Sequence, residues 1–181
     1  IGSGAFSGCT GLAKVTIGDS VSSIGWWAFA GCNGLRKVAI GNAVSTIGSG
    51  AFAGCRGLAT VAIPDSVTSI GDRAFDGCSG LKIVSIGNSV STIGSEAFYG
   101  CSGLAEVTIP DSVIRIDDRA FYGCSGLMTV TIGNSVASIG DGAFFCYREL
   151  KSVYCKAEIP PSAGRNLFTD STLKGTLYVP A

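Results

Sequence analysis

The chain has 181 residues, of which 46% are hydrophobic and only 14% charged, against roughly 25% charged in ordinary globular chains. Thirteen basic and thirteen acidic residues cancel, which argues against the clustered positive charge of a nucleic-acid or anionic-membrane footprint. There is no histidine, so the commonest general base and a leading metal ligand are missing, and no apolar run reaches the roughly 18 residues of a spanning helix.

Ile1 opens the chain in mid-repeat, so the sequence reads as a piece of something longer. From there, Ile24, Ile47, Ile70, Ile93, Ile116 and Ile139 follow at intervals of 23 residues. Phe6 starts a second column that ends at Phe144, and Leu12 a third that ends at Leu150. A fixed period in the twenties predicts a solenoid, in which each unit buries its apolar face against its neighbours. One unit alone would not fold, because its few core side chains do not offset the backbone entropy of ordering it.

Residues 55–77 serve as the type unit. Leu58, Val61 and Ile63 have the spacing L-x-x-V-x-I. Its alternating end predicts a short strand with Val61 and Ile63 inward and Thr60 and Ala62 outward. Pro64-Asp65, or Gly-Asn in sister units, turns the chain. The Asp/Asn column from Asp19 to Asn134 is expected to close Asx-turns on its own backbone. Val67 and Ile70 supply a second inward pair on a second extended segment. Gly71 permits a bend, and Ala74-Phe75 is expected in a turn of 3₁₀ or α-helix. Stacked units would place equivalent strands about 4.8 Å apart in parallel sheets. Six of the eight cysteines, Cys9 to Cys124, share the period. Residues of one column point the same way, so they are read as buried free thiols rather than cystines. The CxxC pairs typical of zinc sites are lacking.

Several residues stand out along the chain. Trp26 and Trp27 place two indoles where sister units carry small or charged residues, and exposed aromatics favour recognition. Arg73, Glu96 and Arg119 are successive in one column and predict a surface charge ladder. Tyr99 and Tyr122 are one unit apart and should pack on each other. Asp117 takes the place of a glycine, Ile114-Arg115 that of a small polar pair, and Phe145-Cys146-Tyr147 that of x-Gly-Cys. Residues 156–175 break the period and predict a proline-containing loop, before a last strand from Thr176 to Val179. The domain reading is therefore seven units over residues 1–155, then an irregular loop and capping strand over 156–181.

The pattern C-x-G-L-x-x-V-x-I-P-x-S-V-x-x-I-G-x-x-A-F-x-G resembles the BspA-like, or treponemal-type, leucine-rich repeat. Residues 55–77 match it at every signature position, and the resemblance covers residues 1 to about 155. Cys155-Lys156-Ala157, Pro160-Pro161 and Thr176-Leu177-Tyr178-Val179-Pro180 are similar to the closing segment of such arrays in gut Bacteroidetes. The resemblance implies a right-handed, β-rich leucine-rich-repeat solenoid with tight turns and no long helices. It implies an anaerobic gut-type bacterial source, with some parasitic protists as the other known source of such arrays, and it implies export, display on the cell surface, and adhesion or protein binding without catalytic residues or cofactors.

Binding would use positions outside the core. The outward columns of the first strand hold Lys14, Lys37, Thr60, Ile83 and Glu106 in one line and Tyr154 in the next. Of these, Lys14, Lys37, Ile83, Glu106 and Tyr154, together with Trp26, Trp27, Tyr99 and Tyr122, form the candidate contact set. The expected partners are host or bacterial surface and matrix proteins, with glycans as a further possibility through the aromatic residues. A structural spacer presenting another domain is the reading from a different class. Enzymatic readings fail on chemistry: a triad lacks its histidine, and no GxxxxGK[ST] phosphate loop exists.

Overall fold

The computed structural model describes residues 1–145 and 150–168, together with the backbone of 176–178. We number units from their cysteines, so that unit 1 is 9–31, unit 3 is 55–77 and unit 6 starts at Cys124. Each unit contributes two short strands. The first strands are β1 (Lys14–Thr16), β3 (Lys37–Ala39), β5 (Thr60–Ala62), β7 (Ile83–Ser85), β9 (Glu106–Thr108), β11 (Thr129–Ile132), β13 (Ser152–Cys155) and β15 (Thr176–Tyr178). The second strands are β2 (Ser23–Ile24), β4 (Thr46–Ile47), β6 (Ser69–Ile70), β8 (Thr92–Ile93), β10 (Arg115–Ile116), β12 (Ser138–Ile139) and β14 (Ser162–Ala163). The pairings are parallel, the second strands forming one seven-stranded sheet and the first strands two four-stranded ones.

The alternation places side chains as expected. Val61, Ile63, Val67 and Ile70 are buried, whereas Thr60 and Ala62 face solvent. The phenylalanines stack from Phe6 to Phe144 with ring centroids 5.1–5.3 Å apart. From Phe29 to Phe144 they are buried and form the spine of one continuous core, while Phe6 at the end of the stack is exposed. Cys32, Cys55, Cys78, Cys101 and Cys124 are buried and unbridged. Each thiol donates to the carbonyl of the phenylalanine 26 residues earlier, as Cys55 does to Phe29 at 3.2 Å. Burial pushes the Cys55 thiol up to about 12.

The Ala-Phe segment corrects the expected helical turn: no described residue is helical. Ala28, Ala30 and Cys32 donate N–H groups three residues back, to Gly25, Trp27 and Phe29. The alternate N–H groups of Trp27, Phe29 and Gly31 reach forward to Ser49, Ala51 and Ala53 of the next unit. Trp27 (φ 55) and Gly31 (φ 69) are left-handed, which breaks any helical run. The segment therefore builds a third hydrogen-bonded ladder along the array.

The Asp column is also corrected. Asp19, Asp65 and Asp111 do not close their own turns. Their carboxylates accept the N–H of Asn42, Asn88 and Asn134 in the following unit, at 2.6–3.0 Å.

The tail departs from the expected loop. Ser162-Ala163 joins the second-strand sheet beside Ser138-Ile139. Asn166 repeats the left-handed position of Arg119, and Phe168 stacks on Phe144. The offset is 24 rather than 23 residues, so one inserted residue hides the period. The backbone of 176–178 pairs with β13. The departures at Cys146 and Tyr147, and the predicted strand end at Val179, lie outside the described residues.

Candidate binding face

The first-strand sheet is not continuous. It runs β1-β3-β5-β7 and then β9-β11-β13-β15, with no ladder between β7 and β9. The junctions alternate. Ile17, Ile63 and Ile109 donate their N–H to Ala39, Ser85 and Thr131 of the next unit at 2.8 Å. Ile40 and Ile86 make no such bond, and β3 meets β5 through the single pair Lys37–Thr60.

The turn residues explain this. Gly41, Gly87 and Gly133 lie so close to the preceding unit that an added Cβ would stand 2.4–2.7 Å from its nearest backbone atom. Pro64 and Pro110 carry a Cβ in that column, and a proline has no N–H to donate. The preceding turn is held off, and the strands below it part. Lys156, in the same column, keeps its junction closed because its N–H reaches the Ile132 carbonyl at 3.0 Å.

Where β7 and β9 part, a cleft of about 460 Å³ opens. Ile83, Glu106, Asn88, Asp111 and Lys156 line it. Ile83 is 62% exposed, unusual for an isoleucine in so apolar an array. Lys156 Nζ stands 3.8 Å from Asp111 Oδ1, an ion pair that spans two units.

The candidate residues fall in three places. Lys14, Lys37 and Ile83 align in one outward column of the first-strand sheet. Glu106 continues that column across the break, beside Thr129 and Ser152. Tyr154, in the adjacent column, lies in register with Thr131. Tyr99 and Tyr122 lie on the turn ladder, stacked with centroids 5.2 Å apart, and Phe145 extends the stack. Their geometry is that of mutual packing. Nearby, Arg73 and Arg119 flank Glu96 at 2.7 and 3.6 Å, which is the expected charge ladder. Trp26 and Trp27 lie between the second-strand sheet and the turn ladder, 65% and 45% exposed. Trp26 leans over Gly48 and Trp27 over Gly50 of unit 2, where an added Cβ would meet the rings at 2.9 and 2.5 Å. Glycine at these positions gives each indole a flat seat.

Asp117 pairs with Arg115 at 2.9 Å. Burial holds its carboxyl above the usual range, partly offset by the Arg115 charge. No group of side chains among the described residues could hold a metal ion, and no described helix is long and apolar enough to cross a membrane.

Parallel strands of two to four residues, tight turns and unbroken apolar ladders define a leucine-rich-repeat solenoid. The family described as "BspA type Leucine rich repeat region" matches in six copies over residues 1–104 and 68–179, and the chain belongs to it. No curated protein matches the chain. Among solved structures it is similar to a leucine-rich repeat protein from Bacteroides ovatus, at 26% identity and a TM-score of 0.66. That match covers 100% of this chain and 58% of the other. It is also similar to the T. pallidum leucine-rich repeat protein, at 28% identity and a TM-score of 0.62, covering 91% of this chain and 65% of the other. The chain thus spans less than two thirds of either relative.

Proposed function

We propose that this array is a non-enzymatic, extracellular protein-binding module attached to the cell surface, and that it serves adhesion through the outward face of its first-strand sheet. Family membership supports the general role, because repeat arrays of this kind present extended surfaces to protein partners. The observation that carries the choice of face is the cleft between β7 and β9. It joins exposed Ile83, Glu106 and the Asp111–Lys156 pair in one recess. An apolar anchor surrounded by polar groups is the composition of an interface hot spot. The partners proposed are host or bacterial surface and matrix proteins.

The test is surface plasmon resonance against purified matrix proteins and whole bacterial surfaces. Wild type is compared with Ile83→Lys, with Glu106→Lys, and with Trp26→Ala/Trp27→Ala. Loss of binding in the first two variants, with unchanged melting temperatures, supports this face. Unaltered binding in both rejects it.

A further inference from the structure

A second surface lies on the opposite strands. Two neighbouring columns of hydroxyl side chains run along the second-strand sheet. In the first, Ser45, Thr68 and Ser91 each donate to the carbonyl of the equivalent residue one unit earlier, at 3.1–3.2 Å. Those hydroxyls are consumed by the fold. In the second column, Ser23, Thr46, Ser69 and Thr92 are aligned by strand register. None of their hydroxyls bonds to the protein, so each keeps its donor and both lone pairs for a ligand.

Three members of this free column, Ser23, Thr46 and Ser69, line a shallow groove of about 420 Å³ that ends on Trp26. No charged residue lines it. The indole is exposed yet seated on the Gly48 backbone, so binding would cost it little rotamer freedom. Beyond Thr92 the column is interrupted by Arg115, paired with Asp117, and this bounds the uncharged stretch.

We propose that this groove binds a neutral oligosaccharide. One pyranose would lay its apolar C–H face on the Trp26 indole. The following sugars would exchange hydrogen bonds with Ser23, Thr46 and Ser69. These hydroxyls recur at the strand spacing of about 4.8 Å, close to the length of one pyranose residue. No charged side chain lines the groove to favour an anionic glycan, and a protein partner would need more apolar area than one indole provides. The site is independent of the cleft between β7 and β9, which lies on the other sheet.

Isothermal titration calorimetry with neutral hexaoses of β-1,4-linked glucose, mannose and N-acetylglucosamine tests the assignment, with heparin as the charged control. At least one neutral hexaose is expected to bind and heparin not to. Trp26→Ala should weaken binding about tenfold or more, and Thr46→Val and Ser69→Ala should each weaken it several-fold. Thr46→Val keeps a β-branched strand residue, so its loss reads the hydroxyl and not folding. Ile83→Lys should leave sugar binding unchanged, which separates this site from the proposed protein-binding face. Absence of heat with every neutral hexaose overturns the proposal. So does affinity unchanged in Trp26→Ala, or binding of heparin alone.

Discussion

Units 4 and 5 meet differently from units 5 and 6, although the two junctions are built from nearly the same residues. At the second, Ile109 bonds Thr131, Met128 bonds Ala105, and β9 pairs with β11 along its whole length. At the first, these bonds are absent and a cleft stands in their place. The difference traces to one position, Pro110 against Gly133. The phenylalanine stack ignores it: Phe98 lies 5.1 Å from both Phe75 and Phe121. The second-strand sheet and the turn ladder ignore it too. A solenoid can thus open one face while its core and two other ladders stay closed.

The most severe way to break the comparison is to remove the core where the face is already open. Phe98→Ala deletes a fully buried ring and should cost about 3–5 kcal/mol. Chemical denaturation is expected to show a lower midpoint and, with the seam weakened, loss of a single cooperative transition. The junction itself is tested by exchanging its determinants. Gly133→Pro should open units 5 and 6 at a cost of about 1–3 kcal/mol. Hydrogen exchange at the Ile109 amide would then rise toward that of Ile86. The reverse change, Pro110→Gly, should slow exchange at Ile86 and close the cleft, while Ile63 stays as it is.

A smaller effect is set by the thiols, which cross open and closed junctions alike. Burial raises Cys55 from 9.0 to about 12. Between those values the unfolded chain loses its proton while the folded chain keeps it. The unfolded state then binds fewer protons, so stability is complete below pH 9 and falls as pH rises through that window. Replacing one such thiol, as in Cys55→Ala, should reduce the alkaline slope by at most about 1.4 kcal/mol per pH unit. Urea midpoints from pH 8 to 11 check this, and an unchanged slope would mean the thiol is hydrated.

The coil itself was legible, because Phe, Leu and Ile columns at a fixed interval admit no other way of burying themselves. The strands followed from Val61 and Ile63, and the free thiols from a column pointing one way. The seam was not legible. Pro64 and Pro110 are plain to see, but their effect depends on how closely Gly41 and Gly87 approach the unit before them. The Lys156–Asp111 pair has no signal, since its partners are 45 residues apart and share no column. The free hydroxyl column looks the same in sequence as its consumed neighbour. Only bond geometry separates Ser69 from Thr68. The Ala-Phe segment reads as helical in the sequence because its left-handed position is a glycine only at Gly4, Gly50 and Gly142 and is held by Trp27, Arg73, Glu96 and Arg119 in the other units.

The alternation of glycine-asparagine and proline-aspartate turns carries one more consequence. The smallest block that can be excised with the order of these turns preserved is 46 residues, twice the apparent period. Deleting one 23-mer would set like beside like: with unit 4 gone, Pro64 and Pro110 would occupy adjacent layers, and the Asp65 carboxylate, which now accepts the main-chain N–H of Asn88, would face the like charge of Asp111. Such a protein would keep its hydrophobic interior yet carry a fault line, whereas removal of units 4 and 5 together would set Asp65 beside Asn134 and keep the turn order, giving up only surface pairs such as Arg73–Glu96 and Lys156–Asp111.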